Sequence, residues 1–581
     1  MTVAPIRHQL RRASPLVPAA CGNTPAGCQR VVPVPGASAQ AVPVPTRPPP
    51  VIPPLPMLHC LSTALRLPFP VASRRSVPSR KSQHRKYVPF CHVDQLEHNH
   101  NPTYNRRHST SIHILDDYSL LNIFYLCRPV LLDEDENDEL LLIQGGAWDR
   151  EHWWYKLAHV CRRWRQLIIG SSSYLGLRLL CTHGTPVAEM LTHSPPFPLV
   201  IDYLTGERKM TPDDKEGILL ALQHCDRVLR IRLRMPVANL QNLIVAIDRE
   251  FPILEFLYIG SPNKHKTTLI LPKTLKAPQL LHVGLENFAF PIQSPLFLTA
   301  VGLKTLSLHN ILPSAYFPPA ALLQRLSLMP QLETLEISFH SPIASRYVEQ
   351  LSYAPMMTHV ILPNLRRFAF QGVSAYLEAL LPGVTMPLLE TLQVVFFNQL
   401  SFNLPHLVQL MGRTENCRSK SAKLWFHRDA VIVATFPHER SKRYNSYIRV
   451  ICSHFDWQVA ISAQIVNMLR PVFVAVEHLT LDYHEHHSSL DWHSESDRTQ
   501  WHGLLKSFSN VKTLLVGNSL IGGLSRSLRL DYGERPLELL PTLKELVCYS
   551  KGNAAYTFLP FINERKAAGV SVNLTVVSLP S

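Results

Sequence analysis

The side chains best placed to do chemistry are the imidazoles of the run YHEHHSSLDWH, where His484, His486, His487 and His493 lie close enough to offer ring nitrogens to zinc. The run directly follows the apolar triad Val476/Leu479/Leu481, and so reads as a polar loop rather than a metal centre. His98 and His100, in a short HNH run beside a proline-rich leader, read the same way. The carboxylates from Asp133 to Glu139 are crowded, but nothing fixes them in a ligand geometry, and a solvated loop is the simpler reading. Ser, His and Asp are abundant, yet no local arrangement selects a nucleophile with its base. The sequence has no GxxxxGK(S/T), no GxGxxG after a strand, no HExxH and no GxSxG. No catalytic residue, no metal site and no cofactor is assigned, and the chain is not expected to be an enzyme.

Nucleic-acid binding needs basic residues interleaved with aromatics on a folded face. RSKRYNSYIR, Arg440 to Arg449, comes nearest, and reads as a solvated loop. The net charge of +15 does not argue for such a face. Residues 1–110 hold fourteen Lys and Arg against Asp94 and Glu97, which leaves +3 for the other 471 residues. The basic character belongs to the leader, where RRSVPSRKSQHRK (Arg74 to Lys86) is a candidate nuclear-import signal or a plain charge run. Nucleic acid is therefore not an expected partner.

The eleven cysteines are widely scattered with no CxxC, as expected of reduced, mostly buried thiols in a cytoplasmic or nuclear protein. Prolines interrupt every candidate signal-peptide core, and no apolar run reaches 18 residues, so no membrane span is expected. Fourteen prolines fall within the first 60 residues, a composition that favours extended polyproline and cannot pack a core. Residues 1–108 are expected to form a disordered tail.

From Ile112 the composition changes. Asp116 and Asp117 precede an apolar helical run, Leu120, Leu121, Ile123 and Phe124, which should stop near Arg128-Pro129. Farther on, Leu157, Val160, Cys161, Trp164 and Ile168 follow helical spacing, which predicts one helix over Trp153–Ile169 with a continuous apolar stripe. Leu175 to Leu180 reads as a strand, Leu199 to Leu204 as another, and Thr211-Pro212 as the capped start of a helix.

Then a template L-x-x-L-x-L recurs. Its triads are Val228/Ile231/Leu233, Leu254/Leu257/Ile259, Leu280/Val283/Leu285, Leu303/Leu306/Leu308, Leu332/Leu335/Ile337, Leu365/Phe368/Phe370 and Leu389/Leu392/Val394, followed by Val476/Leu479/Leu481, Val511/Leu514/Val516 and Leu543/Leu546/Cys548. Pro252, Pro278, Pro330, Pro363, Pro387 and Pro541 stand two residues ahead of their triads. The spacing of 23 to 35 residues is that of leucine-rich repeats, each too small to bury its own apolar face alone. Between residues 395 and 475 the template lapses, and irregular or degenerate repeats are expected. The expected fold is α/β: a small helical module (109–182) followed by an irregular leucine-rich-repeat solenoid (183–581), one strand and one helix per repeat, with the strands lining a concave side.

The stretch Ile112–Cys127 paired with WYKLAHVCRRWRQLI resembles an F-box, matched by Leu115, Leu120, Leu121, Ile123 and Phe124 in its first part and by Leu157, Val160, Cys161, Trp164 and Leu167 in its second. The continuation YLGLRLLCTHGTPVAEMLTHSPPFPLVIDYL is similar to basidiomycete F-box proteins with leucine-rich C-terminal regions. Two features depart from the F-box pattern: Asp116 stands where a proline is usual, and an acid-rich insertion separates the two parts. The resemblance implies a substrate receptor of an SCF-type cullin-RING ubiquitin ligase. A Skp-family adaptor, and through it a cullin, would dock on Leu115, Leu120, Leu121, Ile123, Phe124, Leu157, Val160, Cys161 and Trp164, and an unidentified target protein would bind the repeats. The alternative is a leucine-rich scaffold with no ligase link, its helical part serving as an N-terminal cap.

Overall fold

The computed structural model describes residues 115–128, 153–204, 210–262, 269–289, 294–340, 359–438, 441–483, 496–529, 537–550 and 553–578, apart from positions 398, 400, 442 and 453. All belong to the second of two units into which the chain divides, Met1–Asn105 and Arg106–Ser581. The proline-rich leader, the acidic insertion and the imidazole run His484–His493 lie outside the described residues.

The triads build the second unit, and all thirty of their residues are buried. The first residue of a triad closes a tight turn: the N–H groups of Leu254, Leu280, Leu332, Leu365 and Leu543 donate to the carbonyl three residues back at 3.0–3.4 Å. Pro252, Pro278, Pro330, Pro363 and Pro541 take the second position of those turns, where the fixed φ of proline is already the one required. The other two triad residues lie on a strand and point inward together, since side chains alternate along a strand.

The strands of the long sheet are β1 (Leu179–Cys181), β2 (Leu199–Leu204), β3 (Val228–Arg234), β4 (Phe256–Gly260), β5 (His282–Glu286), β6 (Thr305–Ile311), β7 (Thr334–Phe339), β8 (Arg367–Gly372), β9 (Thr391–Phe396), β10 (Ser421–Phe426), β11 (Ala430–Phe436), β12 (Ser446–Ile451), β13 (His478–Tyr483), β14 (Thr513–Val516), β15 (Glu545–Ser550) and β16 (Asn573–Ser578). They form one sheet in the order β1-β2-β3-β4-β5-β6-β7-β8-β9-β12-β11-β10-β13-β14-β15-β16. From β1 to β9 every pairing is parallel, and Ile231, Leu257, Val283, Leu306, Leu335, Phe368 and Leu392 stand side by side. Helices in the connections pack apolar residues on these inward rows and share one core with them. This is the leucine-rich-repeat plan read in the sequence.

The stretch between residues 395 and 475 differs from the expectation of degenerate repeats. It holds a three-strand insert: β12 pairs parallel with β9, β11 runs antiparallel between β12 and β10, and β10 pairs parallel with β13. The helix Phe455–Met468 returns the chain from β12 to β13, and its buried Gln458 donates to the carbonyls of His427 and Cys452 at 2.7 Å. The C-terminal half of RSKRYNSYIR, read as a loop, is β12.

Two local expectations are also corrected. The helix expected over Trp153–Ile169 is two, because Cys161 is fully extended (φ −158°, ψ 169°) and caps the second, its Sγ accepting from Trp164 N at 3.5 Å. With α1 (Asp117–Leu126), the module thus comprises α2 (Trp153–Ala158) and α3 (Arg162–Gly170). Leu175–Leu180 is not one strand: Ser172–Leu175 is a helical turn, closed by Gly176 in the left-handed region (φ 60°), and β1 begins at Leu179.

The start of α4 (Pro212–Gln223) is as expected. Thr211 Oγ1 accepts from Asp214 N at 3.1 Å, and Asp214 accepts from Thr211 N at 3.0 Å, from Thr211 Oγ1 at 2.8 Å and from Gly184 N at 2.8 Å. Burial pushes this carboxyl up, but the hydrogen bonds from Gly184, Thr211 and His183 outweigh it and hold it below the usual carboxylate range. A depressed folded-state pKa gives stability that is present above the unfolded value, near 3.9 for Asp, and lost as pH falls through the folded value. Asp214→Asn is therefore expected to be less stable than the wild type at pH 7. Urea titrations should show the gap narrowing below about pH 4; a gap that stays constant down to pH 2 rejects the assignment.

Candidate protein-interaction site

The residues between the inward positions form the other face of the sheet, which the helices leave uncovered. On β2 to β8 this outward face carries Asp202, Arg230, Arg232, Arg234, Tyr258, Glu286, Ser307, Glu336 and Arg367. Each of the three carboxylates is matched with an arginine. Arg232 donates to Asp202 through Nε at 3.2 Å and Nη2 at 2.7 Å, a two-pronged geometry that suits guanidinium to carboxylate. Arg234 reaches past one strand to Glu286, with Nε to Oε2 at 3.0 Å. Tyr258 Oη and Asn310 Nδ2 donate to the same carboxylate at 3.1 and 3.2 Å. Glu336 accepts from Ser307 Oγ at 3.1 Å and lies 3.1 Å from Arg367 Nε and 3.4 Å from His309 Nε2.

Two glycines make the first network possible. A Cβ on Gly260 would lie 2.7 Å from Glu286 Oε2, and one on Gly284 would lie 2.4 Å from Tyr258 Cδ2. Glu286 therefore leans over Gly260 to reach Arg234, and the Tyr258 ring lies over Gly284. Beside them Arg230 stands 5.1 Å over the Phe256 ring, and His282 Nδ1 is 3.1 Å from Thr305 Oγ1. Burial, with the charges of Arg230 and Lys304, holds the His282 imidazole below its ordinary range and so neutral at pH 7. None of this assembles a nucleophile with a base and an orienting acid. It is a preorganised polar surface, suited to reading another molecule's shape and hydrogen bonds.

The second surface is on the helical module. Leu120 and Phe124 of α1 are fully buried, and the Phe124 ring meets Trp164 of α3 edge-on at 4.8 Å. Arg163 ties the two helices, donating from Nη2 to Leu115 O at 2.7 Å and from Nε to Asp117 Oδ1 at 3.0 Å. Asp116 caps α1 by accepting from Ser119 N at 2.8 Å. Trp154 packs edge-on against Phe197 at 5.7 Å, so the module shares the core of the repeats. Of the nine adaptor-contact candidates, Leu120, Phe124 and Trp164 lie inside this core. Leu115, Leu121, Leu157 and Cys161 are half-buried, Ile123 is exposed, and Val160, beside the break between α2 and α3, is 57% exposed. Tyr118, Tyr125, Leu126 and Tyr174, none of which stands out by apolar helical spacing, are also exposed, with Tyr125 and Tyr174 at 5.5 Å. The i, i+4 spacing of Leu120 and Phe124 was the available signal: it marks the inner face of α1 and leaves Tyr118, Tyr125 and Leu126 outside.

Among the described residues no His, Cys, Asp or Glu side chains gather in a group of three or more that would hold a metal ion, and no helix is long and apolar enough to cross a membrane. Burial pushes the Cys181 and Cys417 thiols up to about 12, so both are protonated at neutral pH.

No protein-family model matches the sequence, and no curated protein does. Among solved structures the chain is similar to the leucine-rich repeat-containing protein LegL7 from Legionella pneumophila, at 10% identity and a TM-score of 0.23, over 67% of this chain and 98% of that one. At that level the repeat assignment rests on the triads and registers of the chain itself.

Proposed function

We propose that the chain is a non-catalytic receptor: it holds a target protein on the outward face of its sheet and docks a Skp-family adaptor, and through it a cullin, by the module α1–α3. The reading is that of a substrate receptor of an SCF-type ubiquitin ligase, which needs no chemistry of its own because it raises the local concentration of the target. One observation carries it. Of the twenty-one large apolar residues exposed among the described residues, seven lie in the short stretch between Tyr118 and Tyr174. Such a concentration on a module whose inner face is packed into the common core is what a docking surface requires. In this reading Ile123 and Val160, with the half-buried Leu115, Leu121, Leu157 and Cys161, reach the adaptor. Leu120, Phe124 and Trp164 set the frame that holds them.

A second reading, in which the module only caps the repeats, is favoured by the packing of Trp154 on Phe197 and by the shared core. The two roles use different faces of the module. Purified full-length chain is expected to be retained on an immobilised Skp-family adaptor. The double variant Ile123→Asp, Val160→Asp should pass through with unchanged thermal unfolding. Failure of the wild type to bind where a known F-box protein is retained would leave only the cap.

A further inference from the structure

We propose that the three-strand insert forms a cationic, aromatic platform on the outward face that takes an acidic peptide segment of a partner protein; this rests on the reading of that face as the target-binding surface. From β2 to β8 Asp202, Glu286 and Glu336 each pair with a guanidinium group. The insert departs from that pattern. Val395, Ile432, Ala434, Phe436 and Tyr447 form a second buried apolar cluster, separate from the main core, with Trp425, Tyr444 and Ile451 half-buried against it. Tyr444, just ahead of β12, packs against this cluster: its ring lies 5.0 Å from Tyr447, and its hydroxyl donates to Gln393 Oε1 on β9 at 3.2 Å.

Lys423 of β10 lies against the cluster. Lys423 Nζ stands 4.9 Å from the Phe436 ring centre and 5.8 Å from that of Trp425. Among the described residues no carboxylate pairs with this half-buried ammonium, which has only ring faces for partners. Arg443, exposed, precedes Tyr444 in the chain, and Arg449 of β12 is paired with Asp429 at 3.6 Å. Trp, Tyr and Arg at a partly covered apolar site are the residues that carry binding energy at protein interfaces. Carboxylates of a partner would complete the coordination of Lys423, while neighbouring apolar side chains rest on Tyr444. Nucleobases fit less well, because stacking needs an open ring face. Phe436 and Tyr447 are buried, and Lys423 already stands over Trp425.

The test uses full-length chain and three fluorescent probes: a glutamate-rich dodecapeptide, the same peptide with glutamine for glutamate, and a twelve-nucleotide single strand. The acidic peptide is expected to bind, more weakly as salt rises. Lys423→Gln and Tyr444→Ala should each weaken it about fivefold to tenfold, Lys423→Arg should retain it, and Lys215→Gln on the distant α4 should change nothing. Thermal unfolding of each variant checks that the fold is kept. Equal binding of the glutamine peptide, tighter binding of the oligonucleotide, or an undiminished affinity in a folded Lys423→Gln overturns the proposal. Adaptor capture is scored separately on the same variants, so loss of peptide binding with capture intact rejects the platform and not the receptor.

Discussion

Trp164→Ala is expected to cost about 3–5 kcal/mol and to loosen the helical module before the repeats. The indole is largely buried, meets Phe124 at 4.8 Å and closes the gap between α1 and α3. Little else is available to fill its place: Arg163 bridges the helices on the polar side, and the apolar side depends on Leu120, Phe124, Trp164 and Ile168. Hydrogen exchange should show α1 amides losing protection while those of β6 and β7 keep theirs. Val160→Ala, at an exposed position, should change stability by less than about 0.5 kcal/mol. If Trp164→Ala leaves α1 protection intact, the module does not depend on this contact.

The second large effect is expected at Arg565, on the helix Leu559–Ala567. Its side chain is fully buried. Nη1 donates to Leu539 O at 2.9 Å, and Nη2 to Leu540 O at 3.0 Å and Pro541 O at 3.2 Å. The guanidinium also lies 5.5 Å over Phe561. Leu540 is held in the left-handed region (φ 49°), which is strained for a leucine, and the donated hydrogen bonds help fix that turn ahead of β15. Arg565→Met keeps much of the volume and removes the donors, leaving carbonyls in a dry environment without those partners. The cost is expected at about 3 kcal/mol. It should appear as faster exchange in β15 and β16 together with a lower melting temperature. Arg565→Lys should recover only part of the loss, since one ammonium does not span three carbonyls as a planar fork does. A melting curve identical to the wild type rejects this account.

The repeats were legible because each triad encodes two things at once. Leu306 and Leu308 alternate as strand residues facing the core, and the turn ahead of Leu303 sets the phase for the next strand. Thr211, Pro212 and Asp214 likewise announced a helix start by chemistry local to four residues. The break at Cys161 was not legible: its sulfur both extends the apolar stripe in sequence and caps α3 in space, and spacing reports only the first role. The insert was missed for a different reason. All seven residues of β11 are buried, since the main core covers one side and the second cluster the other. A strand covered on both faces loses the period-two signal by which strands are recognised. On the outward face Arg230, Arg232 and Arg234 alternate visibly with Ile231 and Leu233. What they bind was not visible, because Arg234 meets Glu286 across 52 residues of chain, over a glycine whose role appears only once β4 lies between them.

The order of strands in the insert has a consequence for biosynthesis. A chain leaving the ribosome offers its N-terminal end first, and each strand from β2 to β9 emerges to find its neighbour already in place. β10 does not: its neighbours are β11 and β13, both still to come, while the free edge of β9 waits for β12. Growth of the sheet by single additions stops at Phe396 and resumes only when Ile451 has been made. The insert must then add as one block, β12 joining β9, before β13 has an edge to extend. For that interval the edge of β9 is left unpaired, open to another strand adding out of turn.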